Sequence, residues 1–234
     1  MRDAIRSIIS YTNVTHEAMV KILNKENSIL NKFVAQMRDK VVQRDPMRFR
    51  RNMERVAEIM AYEISKSLSY STRMVETPLG VAAVECIDDK IVIVTILRAG
   101  LPFHQGFLNF FDNAENGFVS AYRKNRPDGS FVVDVEYVAT SELAGKTLLL
   151  VDPMLATGTS LMLVYDALIR RAGEPEHTHF AAIFASEQGV DYVKNYLPAN
   201  STLWAAAVDE ELTSKFYIVP GLGDAGDLAF GEKL

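Results

Sequence analysis

Residues 146–160 read Lys-Thr-Leu-Leu-Leu-Val-Asp-Pro-Met-Leu-Ala-Thr-Gly-Thr-Ser, and this stretch decides the fold. Its apolar beginning, 146–150, has the length of a buried β-strand. The residues that follow it, 161–171, place their apolar side chains on one helical face. The stretch therefore predicts a strand, an acidic residue, a turn of small residues and a helix.

This arrangement suits a phosphate group. A helix N-terminus presents unpaired N–H groups and the positive end of a dipole. Small and hydroxyl residues at 156–160 let the backbone approach an anion and add donors. Asp152 follows the strand, where open α/β sheets bind their ligands. The alternative is an ordinary strand-to-helix turn capped by Asp152, since most such units bind nothing.

Composition and charge restrict the class of protein. The 234 residues carry 25 Lys+Arg and 30 Asp+Glu, a net charge of −5 that argues against a nucleic-acid partner. The single cysteine, Cys86, cannot form an internal disulfide, so we expect a cytoplasmic protein. It lies in the apolar run 81–87, where a buried, inert thiol is expected. Every apolar run is shorter than the roughly 18 residues of a membrane span, so we expect no membrane association.

Alternating strand and helix patterns predict an α/β fold, with a mainly parallel twisted sheet flanked by helices. A helix is also expected over 47–69, and residues 1–45 are expected to form helices outside the sheet. Asp128-Gly129 is a hairpin signal. The predicted strands are 91–97, 118–122, 131–138, 146–150, 179–185 and 202–208, and the later helices are 161–171 and 189–196.

Several charged or metal-ligating side chains are candidates for site residues. Arg98 and Arg123 each follow a predicted strand, and their guanidinium groups suit phosphate oxygens. The basic face of the 47–69 helix, with Arg48, Arg50, Arg51 and Arg55, is more typical of a solvated surface. His177 and His179 have no neighbouring ligand cluster in the sequence, so we do not expect a metal there.

The C-terminal segment Gly221-Leu-Gly-Asp-Ala-Gly226 matches the dinucleotide-binding pattern in letters only. The chain ends at Leu234, so the motif lacks the βαβ context and the later acidic residue of that fold. A glycine-rich loop does leave backbone donors and acceptors accessible, and these can read the edge of a nucleobase.

Three motifs together resemble the uracil phosphoribosyltransferase family. Asp152-Pro-Met-Leu-Ala-Thr-Gly-Thr-Ser160 is similar to its 5-phosphoribosyl-1-diphosphate (PRPP) loop, and Ile96-Leu-Arg-Ala-Gly100 to its pyrophosphate-side loop. Tyr217-Ile-Val-Pro-Gly-Leu-Gly-Asp-Ala-Gly-Asp227 is similar to its uracil-binding signature. The resemblance covers roughly residues 27–233 and implies the reaction of uracil with PRPP to give UMP and diphosphate.

The resemblance also implies an architecture and partners. It implies a type I phosphoribosyltransferase fold, in a single domain over 1–234, with a helical N-terminal region. A small hood, built from the N-terminal segment and 209–234, would cover the base. Residues 1–26 look like an extension. The family further implies Mg²⁺ carried by PRPP, without a dedicated protein site, and a homodimer or higher homo-oligomer.

The roles of single residues are likewise implied by the resemblance. The catalytic set would be Asp152, Arg98 and Arg123. PRPP would be bound by Arg98, Arg123, Asp152, Pro153, Met154, Leu155, Ala156, Thr157, Gly158, Thr159, Ser160 and Asp224. Uracil would be bound by Ile218, Gly223, Asp224 and Ala225, with the Mg²⁺ of PRPP near Asp224.

The chain departs from the family pattern at Thr159, where many members have a second glycine, and at 185–189. His104 is expected to be structural. An alternative function is a non-catalytic regulator that senses uracil nucleotides or PRPP. A transferase acting on another base is a further alternative, although orotate would require a cation that the segment 217–227 lacks.

Overall fold

A computed structural model describes residues 19–125 and 131–233, with the backbone alone for 122–125 and 131–134. Within these ranges the strands are β1 (Met19–Ile22), β2 (Tyr70–Thr77), β3 (Gly80–Ile87), β4 (Ile91–Leu97), β5 (Glu115–Asn125), β6 (Phe131–Ala139), β7 (Thr147–Val151), β8 (Met154–Leu155), β9 (His177–Ser186), β10 (Ser201–Asp209), β11 (Glu211–Leu212) and β12 (Ile218–Val219). The α-helices are α1 (Ile29–Arg38), α2 (Pro46–Ser65), α3 (Leu101–Leu108), α4 (Thr159–Ala172), α5 (Glu187–Tyr196) and α6 (Ala225–Phe230).

The central sheet has the strand order β1-β10-β9-β7-β4-β5-β6, with β8 added beside β9. Neighbours on this path are parallel, except that β6 runs antiparallel to β5. The predicted α/β fold with a mainly parallel sheet is therefore confirmed. The Asp128-Gly129 turn signal lies outside the described residues.

The central strands are buried on both faces because their side chains alternate between two cores. In β4, Ile91 and Ile93 contribute to one core, while Val92 and Val94 contribute to the other. Helices α1, α2 and α3 cover the first core, and α4 and α5 cover the second. This two-sided burial explains why the strand sequences are continuous apolar runs.

Helix α2 packs against the first core through an apolar stripe of its own side chains. Its N-terminus is capped by Asp45, whose carboxylate accepts hydrogen bonds from the N–H groups of Met47 and Arg48, and Pro46 occupies the first turn. Met53, Val56 and Met60 are fully buried. None of the helices in the described ranges combines the length and the apolar character required to cross a bilayer.

The expectation of helices outside the sheet for 1–45 is wrong at residues 19–22. These residues form β1, which pairs in parallel with β10 at the edge of the sheet. The strand is only four residues long, and it is defined by its pairing with residues 202–205, which are distant in sequence. Local sequence patterns therefore do not predict it. Residues 1–18, most of the predicted extension, lie outside the described part of the chain.

Strands β2 and β3 form an antiparallel hairpin separate from the central sheet, here called the hairpin arm. The expectation of a buried Cys86 is wrong, because Cys86 lies in this arm and is partly exposed. Met74 is 67% exposed, Val81 is 65% exposed, and Leu79 at the turn is fully exposed. The apolar run 81–87 therefore predicted burial, but in the single chain these side chains are not buried.

Two histidines lie near the amino end of β9, of which His179 is buried and His177 is half-buried. Trp204 Nε1 donates to His179 Nδ1 at 3.2 Å, and the rings of His177 and His179 lie 4.5 Å apart. Burial, followed by the neighbouring His177, lowers the pKa of His179 to about 3. The acceptor role of Nδ1 also favours the neutral ring.

This burial predicts a loss of stability in mild acid. The unfolded chain takes up a proton near pH 6.5, which folded His179 does not. The free energy of unfolding should therefore fall below pH 6.5, by up to about 1.4 kcal/mol per pH unit. Urea titrations between about pH 6.5 and 5 check this, because most carboxylates titrate below that range. The free energy of unfolding should depend less steeply on pH in His179→Gln than in the unaltered protein. An equal slope in the variant would contradict this assignment.

Candidate active site

The site is built where four neighbouring parallel strands end. Thr95 of β4 lies beside Val151 of β7, and Val151 lies beside Ala181 of β9. Asp209, the last residue of β10, lies beside Ser186, the last residue of β9. The segments that follow these strands consequently share one edge of the sheet.

Residues 152–160, here called the phosphate loop, connect β7 to α4. Its start is held to β9, because Pro153 O accepts the N–H groups of Ile183 and Phe184 at 3.1 and 3.0 Å. Asp152 is half-buried, and its Oδ1 accepts the N–H of Met154 at 3.3 Å. The predicted order of strand, acid, turn and helix is confirmed.

Gly158 brings the phosphate loop into α4. Its φ of +78° lies in the left-handed region, and a Cβ there would lie 2.7 Å from Val193 Cγ2. Its lack of a side chain leaves the first turn of α4 without a side-chain cap. Free N–H groups of a helix's first turn are the standard donors for an anion.

Thr159, the departure inside the phosphate loop, is the first residue of α4. Its hydroxyl oxygen lies 3.4 Å from the hydroxyl oxygen of Thr157. The threonine therefore adds a third hydroxyl, beside those of Thr157 and Ser160, at the helix N-terminus, where glycine would provide only its backbone.

Ser186, in the second departure from the family pattern, supports the phosphate loop directly. Its hydroxyl donates to Ala156 O at 2.5 Å and accepts the N–H of Gly189 at 2.9 Å, which caps α5. Gly189 is required here because a Cβ would collide with Ala156 O. Sequence reasoning missed this role, although a serine before a helical run is a capping signal.

Arg98 follows β4 through a cis Leu97–Arg98 peptide bond and contacts the C-terminal segment. Its Nη2 donates to Asp227 Oδ1 at 2.8 Å and to Gly231 O at 2.7 Å. A guanidinium has five N–H donors, so Nε and Nη1 provide further donors. The structure thus brings Arg98 to the uracil-signature segment.

Residues 217–227, here called the base loop, contain little regular structure: β12, which pairs with β11, and the start of α6. Ile218 and Ala225 are buried, while Gly223 is exposed with a φ of +100°. Asp224 caps α6 by accepting the N–H of Asp227 at 3.0 Å, and Lys233 Nζ lies 3.7 Å from its Oδ2. A Cβ on Gly226 would lie 3.6 Å from Arg98 Nε, so the two predicted loops are in contact.

Two arginines of the N-terminal helices, Arg38 and Arg50, contact the base loop and α6 respectively. Arg50 Nη1 donates to Ala229 O at 2.6 Å, so the expectation of a solvated face is wrong for Arg50. Arg51 fits that expectation, since it is exposed and pairs with Glu54 and Glu58 on its own helix. Arg38 and Asp209, which sequence reasoning also missed, contact Gly221.

Two further sequence predictions concern β5 and its surroundings. The backbone of β5, which carries Arg123, runs parallel to β4, but the Arg123 side chain lies outside the described atoms. His104 is buried, with its Nε2 2.7 Å from Asn116 Oδ1, and burial lowers its pKa. These contacts agree with a structural His104.

The carboxylate side chains at this edge of the sheet are the candidate ligands for Mg²⁺. Among the described residues no group of three or more His, Cys, Asp and Glu side chains could hold a metal ion. Asp152 and Asp224 do provide carboxylate oxygens, which Mg²⁺ prefers, and Mg²⁺ is commonly held by one or two carboxylates together with substrate phosphates. The residues present therefore fit a cation that arrives on a phosphorylated substrate.

A parallel sheet with a phosphate loop, an arginine and a base loop at one edge defines the phosphoribosyltransferase class. The family model for uracil phosphoribosyltransferase matches residues 24–232, so the chain belongs to the uracil phosphoribosyltransferase family.

Individual relatives agree with this assignment. A uracil phosphoribosyltransferase from Porphyromonas gingivalis is 55% identical over 212 residues, covering 91% of this chain and 98% of that protein. One from Methanothermobacter thermautotrophicus is 43% identical over 190 residues, covering 80% and 86%. A solved structure of an Aquifex aeolicus protein has a TM-score of 0.81 at 27% identity, covering 91% and 98% of the two chains.

The role of Ser186 gives a testable prediction. Ser186→Ala leaves the Ala156 carbonyl without its donor, so the free energy of unfolding should fall by about 1–3 kcal/mol. Ser65→Ala is the matched control, because Ser65 also donates to a carbonyl, that of Tyr62, but on the surface. Urea unfolding of both variants checks this, and equal losses would contradict a special role for Ser186.

Proposed function

We propose that the protein transfers the 5-phosphoribosyl group of PRPP to uracil, giving UMP and diphosphate in pyrimidine salvage. This proposal rests on the direct contact between the pyrophosphate-side loop, residues 96–100, and the base loop. Arg98, on the pyrophosphate side, is hydrogen-bonded to Asp227 of the base loop, and the phosphate loop begins on the adjacent strand.

The 5′-phosphate is bound by residues 155–160. The first turn of α4 supplies N–H donors, and the hydroxyls of Thr157, Thr159 and Ser160 supply further ones. Pro153 and Met154 fix the loop to β9. Asp152, at the end of β7, accepts hydrogen bonds from the ribose hydroxyls.

The leaving diphosphate is bound by the two arginines. Arg98 donates through the N–H groups beyond those that hold Asp227 and Gly231, and Arg123 provides the second guanidinium. When bound with PRPP, Mg²⁺ would neutralise charge on the diphosphate, with Asp224 and Asp152 as the nearby carboxylates. Because bond cleavage separates charge at the anomeric carbon, fixed cations and dipoles lower the barrier most.

Uracil is bound by backbone groups of Ile218, Gly223 and Ala225, with Asp224 beside the ribose. Backbone donors and acceptors recognise an uncharged base edge without adding a charge to the site. The base loop and the phosphate loop lie at the same edge of the sheet, so together they hold uracil and the ribose in line. This arrangement lowers the barrier of the reaction through proximity and orientation. The N-terminal helices and 209–234 form the hood over the base.

The partner of the hairpin arm is a second copy of this chain in the cytoplasm. The arm carries exposed apolar side chains on both strands, and an isolated two-stranded hairpin is only marginally stable in water. A homodimer would bury those side chains. The cytoplasm is supported by the single cysteine, which needs no oxidising compartment.

Incubation with PRPP, Mg²⁺ and labelled uracil tests the proposed reaction. UMP should form with uracil, and far less product should form with orotate, hypoxanthine or adenine. Binding of UMP without any turnover would contradict the proposal and favour a regulatory protein.

Asp152→Asn tests the role of the acid. The amide has nearly the same shape but no charge, so kcat should fall by about 100-fold or more, as when a transition-state contact is removed. Thermal unfolding should be nearly unchanged. Asp191→Asn, on the exposed face of α5, is the matched control and should keep full activity. Parallel losses of activity and melting temperature in Asp152→Asn would count against this role.

Met74→Lys combined with Val81→Lys tests the dimer. Both side chains are exposed in the single chain, so their replacement should not affect its core. The molar mass from light scattering should be that of a dimer in the unaltered protein and that of one chain in the variant. An unaltered protein of monomeric mass would contradict this proposal.

A further inference from the structure

We propose that Arg38 and Asp209 are positioning residues that fix the base loop for uracil. This inference rests on the proposed function, because it assigns a role to residues behind the uracil site. Neither side chain belongs to the three family motifs, and the two are 171 positions apart in the sequence.

The two side chains form a bidentate ion pair. Arg38 Nη1 donates to Asp209 Oδ2 at 2.8 Å, and Nη2 donates to Oδ1 at 2.6 Å. This fork-to-fork geometry is the most directional one available to an arginine and a carboxylate. It fixes the position of both groups relative to each other.

The pair then binds both backbone polar groups of Gly221. Asp209 Oδ2 accepts the N–H of Gly221 at 3.1 Å, and Arg38 Nη1 donates to Gly221 O at 3.0 Å. Gly221 is buried, so each of these groups needs a partner. Arg38 and Asp209 therefore act on this residue as a neighbouring strand would.

The bound residue controls the geometry of the uracil contacts. Gly221 has a φ of +48°, and a Cβ there would collide with Ile218 O, because the chain turns back on Ile218. Gly223 follows two residues later. A displacement of Gly221 would accordingly move both of these proposed uracil-binding positions.

The surroundings make the pair rigid. Asp209 is 7% exposed, and the Arg38 guanidinium carbon lies 4.4 Å from the centre of the Phe184 ring. Gln43, with its amide oriented to satisfy its neighbours, donates to Leu222 O at 3.0 Å. Arg38 is 24% exposed, so the buried member of the pair is Asp209, and removal of the arginine would leave this buried carboxylate without its charged partner.

Arg38→Lys and Asp209→Asn test this role by steady-state kinetics. Lysine keeps the charge but cannot bind Asp209 at two points and Gly221 at the same time. Each variant should raise the KM for uracil by about 10- to 100-fold, the equivalent of one charge-assisted hydrogen bond. The KM for PRPP should rise by no more than about twofold, because the pair's hydrogen bonds to the base loop are made to Gly221 and not to the proposed PRPP residue Asp224. Arg51→Lys, a surface arginine in exposed ion pairs, should change neither value.

Hydrogen exchange of the base-loop amides provides a readout independent of activity. In Arg38→Lys the amides of 218–225 should exchange faster, while those of β4 and β7 keep their protection. If the unaltered protein made no UMP, the proposed function would fail, and the exchange result would still decide the positioning role. Equal rises in both KM values, or unchanged exchange in the base loop, would overturn the inference.

Discussion

The common register of β4, β7, β9 and β10 is the constraint on which the rest of this structure depends. Because these strands are parallel and adjacent, Arg98, Asp152, Ser186 and Asp209 fall along one edge of the sheet. Four segments distant in sequence thereby become neighbours. A shift of one residue in any of these pairings would move the side chains of a strand from one core to the other. Because both faces of the strands are buried, such shifts are disfavoured. The register of the strands therefore fixes the geometry of the site.

The supports of the site come from opposite sides of that edge. Ser186 and Gly189, at the start of α5, hold the phosphate loop, while Arg38, Asp209 and Arg50 hold the base loop and α6. The base loop contains the two-residue strand β12 and only the start of the six-residue helix α6, too little regular structure to fix its own conformation. Its shape therefore depends on contacts with α1 and α2, which couple the proposed uracil site to the packing of the N-terminal helices.

Local patterns predicted the parts of the fold that local physics determines. The β-branched run of β4 was predicted at its observed bounds, and the phosphate loop followed from its order of strand, acid, small residues and helix. Parts determined by distant partners were not predictable in this way. β1 is defined by its pairing with β10, the hairpin arm exposes apolar residues that local rules would bury, and Arg38 meets Asp209 only in the folded chain.

A crystal structure of the protein with bound UMP would test the central claim most directly, because the nucleotide reports both halves of the site at once. We expect the phosphate at the first turn of α4, the ribose hydroxyls on Asp152, and the uracil edge on the backbone of Ile218, Gly223 and Ala225. A nucleotide bound away from this sheet edge, or a uracil ring without contacts to the base loop, would contradict it.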